Sequence, residues 1–168
     1  EDDIEISIYE NRLKKKRPIS PEEIYELSIL SLIYSNIAIC SLQYIKYNID
    51  LPTKYDKYAE ICEQYLNRSR YIRNLIIRIT QKQYGEHSSE YKDALHFLAT
   101  YYHSVATHYF YTKDYSNSIV IRSVLFTFYK TIGLNEKSHV QLDLAPISLY
   151  EQSGGNKNLY LSSAKSFF

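Results

Sequence analysis

Apolar positions along this chain recur at steps of three and four. Tyr58, Cys62, Tyr65 and Leu66, then Ile72, Leu75, Ile76 and Ile79, keep the spacing that gathers side chains on one face of an α-helix. The first segment, Glu1 to Pro18, contains Ile4, Ile6 and Ile8 in strand-like alternation. It opens acidic and closes on Lys14 to Arg17, which matches the helix macrodipole, so a short helix stopped by Pro18 is the better reading. Ser20-Pro21-Glu22-Glu23 then combines an N-cap, a proline at the first helical position and a glutamate placed to return a hydrogen bond. A long helix is predicted from there to about Asn48. After the break at Leu51-Pro52-Thr53, helical spacing resumes from about Lys54 to Tyr84, as one bent helix or two, with Gly85 as C-terminal cap.

Further helices are predicted from Ser88 or Ser89 through Tyr109, from about Tyr115 to Thr131 with Gly133 as cap, from about Lys137 to Gln152, and from Lys157 to Phe168. Thr112-Lys113-Asp114 forms the turn between the first two of these, and Pro146 kinks the third or delays its start. No strand pattern appears. The predicted fold is all-α, built of helix hairpins with short connections.

The helix after Ser20 has an unusual polarity. It carries no charge from Leu27 to Ile45, nearly the length of a membrane span. Ser28, Ser31, Ser35, Asn36, Ser41 and Gln43 would be costly in hydrocarbon and are ordinary in a helix packed on both sides, so a packed helix is preferred. Ser28, Ser31, Ser35 and Ala38 form a seam of small residues that admits a close neighbour.

Composition bounds the rest. The 168 residues suffice for a domain with a core. Lys and Arg total 20 against 19 Asp and Glu, so charged partners must be met by a local patch. Tyr is abundant, at 19, while Met and Trp are absent and Gly and Pro number four each, which favours long elements. Lacking Met, the sequence reads as a processed or excised piece. Cys40 and Cys62 make no disulfide framework and no metal spacing, and are expected to be reduced and buried in a cytoplasmic, or else nuclear, protein. Asn67-Arg68-Ser69 is a glycosylation pattern in a basic helix, taken as accidental.

Several stretches resemble the tetratricopeptide repeat. Tyr102, Val105-Ala106, Tyr109, then Lys113-Asp114-Tyr115 and Ser118-Ile119 are similar to its pattern, in which a small residue on the first helix admits its partner. Leu32 to Cys40 resembles such a first helix. Ile76 to His87 and Phe126 to Asn135 look most like the kinesin-light-chain variety, and Leu149 to Asn156 is similar to the turn inside a repeat. Gly85 and Gly133 stand 48 positions apart, against about 34 in a standard repeat. Tyr58 and Arg122 occupy positions where the pattern has small and aromatic residues, and the connection from Tyr44 to Lys54 is long. The resemblance implies a right-handed α-solenoid of six to seven helices, with residues 1–19 as a charged helix or arm. Residues 20–168 then form the repeat domain, in pairs at about 20–84, 88–132 and 136–168.

That fold implies a non-catalytic protein-interaction module that holds a partner segment in the groove lined by the first helix of each pair. The groove residues expected are Ser35, Asn36, Gln43, Lys92, His96, Thr100, His103, Thr107 and Phe110. Asn36 matches the Asn that, in chaperone-binding members, bonds a peptide C-terminus. The clamp in those members also needs Lys and Arg on neighbouring helices, where this chain has Lys92 and His96. Arg68, Arg70, Arg73, Arg78 and Lys82 favour an acidic or phosphorylated partner.

No Gly-rich phosphate loop, nucleophile elbow or paired Cys ligands occur. His96 and His103 share a helix face without a third ligand, so neither metal nor other cofactor is expected. Two other classes of function remain. One is an accessory helical domain of a larger enzyme, as in SET-and-MYND lysine methyltransferases. The other is an RNA-binding helical repeat whose salt-sensitive contacts would include Arg70 and Arg73; the tyrosines are read as core filler rather than as base-stacking platforms.

Overall fold

The computed structural model describes residues 2–47 and 52–133, and the described residues are all-α. The order is α1 (Asp2–Lys14), α2 (Pro21–Tyr47), α3 (Pro52–Tyr84), α4 (Ser89–Tyr111) and α5 (Tyr115–Thr131). The helices expected at 137–152 and 157–168 lie outside the described residues. Residues from Lys54 to Tyr84 belong to one continuous 33-residue helix. Because α2 runs to Tyr47 and α3 begins at Pro52, the connection that looked long between Tyr44 and Lys54 is mostly helix.

Local chemistry sets the ends. Ser20 and Glu23 close a reciprocal capping box: Ser20 N donates to Glu23 Oε2 at 2.8 Å, and Glu23 N donates to Ser20 Oγ at 3.2 Å. Ser88 caps α4 by accepting from Tyr91 N at 3.1 Å, and Asp114 caps α5 by accepting from Asn117 N at 3.3 Å. At the end of α1, Arg17 N reaches Arg12 O at 2.9 Å and Lys16 N reaches Leu13 O at 3.3 Å, a Schellman closure. The end of α4 repeats it, with Asp114 N to Tyr109 O at 2.8 Å and Lys113 N to Phe110 O at 3.1 Å. Its left-handed residue is normally glycine; here Lys16 (φ 54°) and Lys113 (φ 63°) take the place, whereas Gly85 and Gly133 serve after α3 and α5.

The chain divides into two compact units, one ending at Tyr101 and one beginning at Tyr102, so the boundary falls inside α4. In the first unit α2 and α3 form an antiparallel hairpin: Ser31 meets Ser69 near its middle, and Tyr44 meets Tyr58 at one end. The Arg12 guanidinium forks onto Glu23, and Arg78 Nη2 donates to Glu10 Oε1 at 2.9 Å, which sets α1 antiparallel to α2 and parallel to α3. Gln83 clips the connection in place, accepting from Ile19 N at 2.8 Å and donating to Ile19 O at 2.9 Å.

The core of this unit gathers Ile6, Leu13, Ile19, Leu27, Tyr34, Ile72, Leu75, Ile76, Ile79 and Ala94. Each large aliphatic member contributes roughly 2 kcal/mol by leaving water. In the second unit Ser118 Oγ donates to Ala106 O at 2.8 Å, so α4 and α5 approach closely where both side chains are small. Phe110 packs edge-on against Tyr115 with centroids 5.6 Å apart.

Candidate functional site

The small-residue seam of α2 meets a buried cation. Arg73 is only 2% exposed, and its guanidinium lies among Ser31, Ser35, Ser69, Phe97 and Thr100. Its Nε donates to Ser31 Oγ at 2.9 Å and to Ser69 Oγ at 3.2 Å, and Nη2 donates to Ser35 Oγ at 3.0 Å. Nη1 donates to Phe97 O and Thr100 Oγ1, and the guanidinium carbon sits 3.9 Å from the Phe97 ring centroid. The serines also bond one another, Ser69 Oγ lying 2.9 Å from Ser31 Oγ and 2.8 Å from Ser35 Oγ. None of these partners is a carboxylate. Burial pushes the guanidinium down to about 10, so it remains cationic at neutral pH, solvated by hydroxyls, a carbonyl and a π-face.

This changes the standing of several residues expected at a binding surface. Arg73 is a core residue, because its donors are consumed inside the α2, α3 and α4 packing. Ser35 is buried with it, and Thr100 spends its hydroxyl on Arg73 and on Phe97 O. In the second unit, Thr107 Oγ1 donates to His103 O at 2.9 Å and lies 3.5 Å from Arg122 Nη2, while Phe110 packs on Tyr115. His96 and His103 are half-buried, and Asn36, Gln43 and Lys92 are exposed. Of the basic set, Arg70, Arg78 and Lys82 are exposed, Arg78 engaging Glu10, whereas Arg68 is half-buried. A recurrence on α3 and α5 was not evident from helical spacing alone. Ser69 and Arg73 return 49 positions later as Ser118 and Arg122, and all four are buried.

The surface that stands out is the outer face of α2. Tyr25, Ile29, Leu32, Ile33, Asn36, Cys40 and Gln43 follow helical spacing and are all exposed, Tyr25 at 67% and Ile33 at 48%. Exposed Glu22 and Glu26 border its N-terminal end, and beyond them the stripe contains no charge. Beside its middle, Ile33, Asn36, Ile37, Cys40, Tyr44 and Tyr58 line an open groove of about 530 Å³. By length and composition Pro21–Ile45 would pass for a membrane span. In this fold its inner face is committed to α3, since Ser31 and Ser35 help to solvate Arg73.

Cys62 is buried, and desolvation, helped by Glu63, raises its thiol to about 12. Cys40, expected to be buried, is exposed because it falls on the outer stripe. Among the described residues no three His, Cys, Asp or Glu side chains converge on a metal position. The serine cluster faces a cation rather than a base, so it offers no activated nucleophile. No protein-family model, curated protein or solved structure matches the chain.

Proposed function

We propose that this chain is a non-catalytic interaction module of the tetratricopeptide-like, α-solenoid kind, which docks a partner protein through the outer face of α2. The observation that carries the reading is the exposed, largely apolar stripe from Tyr25 to Gln43, which is uncharged beyond Glu26. Four large apolar side chains in register on one helix form a patch that a monomeric surface seldom leaves bare. Asn36 and Gln43 stand within it as polar groups able to fix the register of a bound segment. The repeat character is supported by the close approach of Ser118 to Ala106 and by the two buried Ser-x-x-x-Arg pairs on α3 and α5.

The same stripe also favours the second reading, an accessory helical domain whose apolar face rests against another part of a larger enzyme. An RNA-binding role loses support, because Arg73 is withdrawn from the surface. The test is affinity capture from native extract, followed by mass spectrometry, with wild type, with Ile29→Glu plus Ile33→Glu, and with Val124→Glu as an exposed control on α5. A partner captured by wild type and by the control, and lost by the α2 double variant at unchanged helicity, is the expected result. Equal capture by all three removes the α2 assignment.

A further inference from the structure

A second cleft, of about 450 Å³, lies between α1 and α3 and is lined by Ile6, Glu10, Tyr34, Asn67, Arg68 and Tyr71. Arg68 is prepared within it. Its guanidinium carbon lies 5.8 Å from the Tyr34 ring centroid and 5.9 Å from that of Tyr65. These rings are themselves packed, with centroids 5.6 Å apart. Aromatic faces hold a guanidinium in place without using its N–H donors. Among the described residues no carboxylate pairs with Arg68, the ion pairs there being Arg12 with Glu23 and Arg78 with Glu10. The acid lining the cleft is thereby occupied: Glu10 accepts hydrogen bonds from Tyr71 and Arg78, which hold its carboxyl below the usual range.

We propose that this cleft is a binding subsite for an organic oxyanion, a carboxylate or a phosphate monoester on a small apolar body. The fork of Arg68 takes the oxygens, the exposed amide of Asn67 adds a donor, and Ile6 with the bodies of Tyr34 and Tyr71 receives the apolar part. A pre-positioned arginine loses little rotamer freedom on binding, and bidentate geometry suits both oxyanions. Arg68 differs in this from Arg73, whose donors are spent, and from Arg78, whose charge is met by Glu10. The site stands apart from the α2 face, so its failure leaves that reading intact.

The experiment titrates the full chain with phenyl phosphate and, separately, phenylacetate, reading the methyl signal of Ile6 and the Nε signal of Arg68 by NMR. Saturable shifts with dissociation constants of about 1 to 10 mM are expected for probes of this size, and the tighter probe identifies the oxyanion. Arg68→Gln is expected to weaken binding about tenfold, while Arg70→Gln, exposed one turn-edge away, leaves it within about twofold. Asn67→Asp places a negative charge at the cleft without touching the core and is expected to weaken binding by about tenfold, which keeps the test decisive if Arg68→Gln fails to fold. Absence of saturable shifts with both probes overturns the proposal. So does unchanged affinity in Asn67→Asp, or equal shifts around Arg70 and Lys82, the mark of diffuse attraction.

Discussion

At the scale of single residues, Arg73 shows how a charge is kept in a core without a counter-ion. Hydroxyls and a carbonyl satisfy its donors, and Phe97 covers one face. Truncation removes both the packing and the partners. Arg73→Ala is expected to cost about 3 kcal/mol in urea unfolding, in the range for vacated core positions and broken buried networks. Arg73→Met is expected to be milder, about 1 to 2 kcal/mol, because Met refills the volume and Ser31, Ser35 and Ser69 can still bond one another. If Ala and Met prove equally costly, the charge itself carries the stability. The cysteines give a second test. Cys40 lies exposed on the α2 stripe, whereas Cys62 is buried with its thiol raised to about 12. In the native protein at pH 8 a thiol reagent should titrate Cys40 alone, and Cys62 only after denaturant is added. Rapid native-state reaction of Cys62 would contradict the packing around it.

At the scale of elements, stability is adjusted at helix ends. Lys16 and Lys113 occupy left-handed positions that glycine fills without steric cost. Lys16→Gly and Lys113→Gly are each expected to raise stability by about 0.5 to 1 kcal/mol in thermal or urea unfolding. A loss would mean that these lysine side chains do more than end a helix. Ser20→Ala should cost about 1 kcal/mol. Glu23 and Glu10 have carboxyl pKa values lowered from 4.5, Glu23 chiefly by Arg12 and Glu10 chiefly by Tyr71. Their contribution is therefore complete above that value and fades as pH falls through the lower folded value. Glu23→Gln should flatten the acid limb of a stability–pH curve, and an unchanged limb would count against the pairing.

The start of α2 was readable in the sequence because its cap involves residues three positions apart, Ser20 and Glu23. The role of Arg73 was not, because its partners stand up to 42 positions away and five cations spread around a helix look alike until the neighbouring helix is in place. The outer stripe of α2 was hidden for a related reason. The small-residue seam pointed to Ser31 and Ser35 as a packed side, but a helix apolar all round does not reveal whether its other side is covered too, and only the placement of the neighbouring helices leaves Tyr25, Ile29 and Ile33 exposed.

At the scale of the whole molecule, the partition of contacts bears on how the chain folds. Every core residue gathered around Ile72 and Ile79, and every partner of Arg73, lies before residue 102. The first unit thus contains its own core, its own polar network and both ion pairs found among the described residues, Arg12 with Glu23 and Arg78 with Glu10. Where a helical unit buries its own core, stability is close to a sum of local terms. A fragment of residues 1–111, which ends with α4 complete, should therefore fold without the remainder. It is expected to be strongly helical by circular dichroism and to unfold cooperatively in urea. Arg73→Ala should destabilise it by about the same amount as in the full chain, within about 0.5 kcal/mol. Equal losses would show that the Arg73 network is complete inside the first unit. A fragment that is unfolded, or in which Arg73→Ala has no effect, would show instead that α3 and α4 need residues beyond 111 to hold their packing.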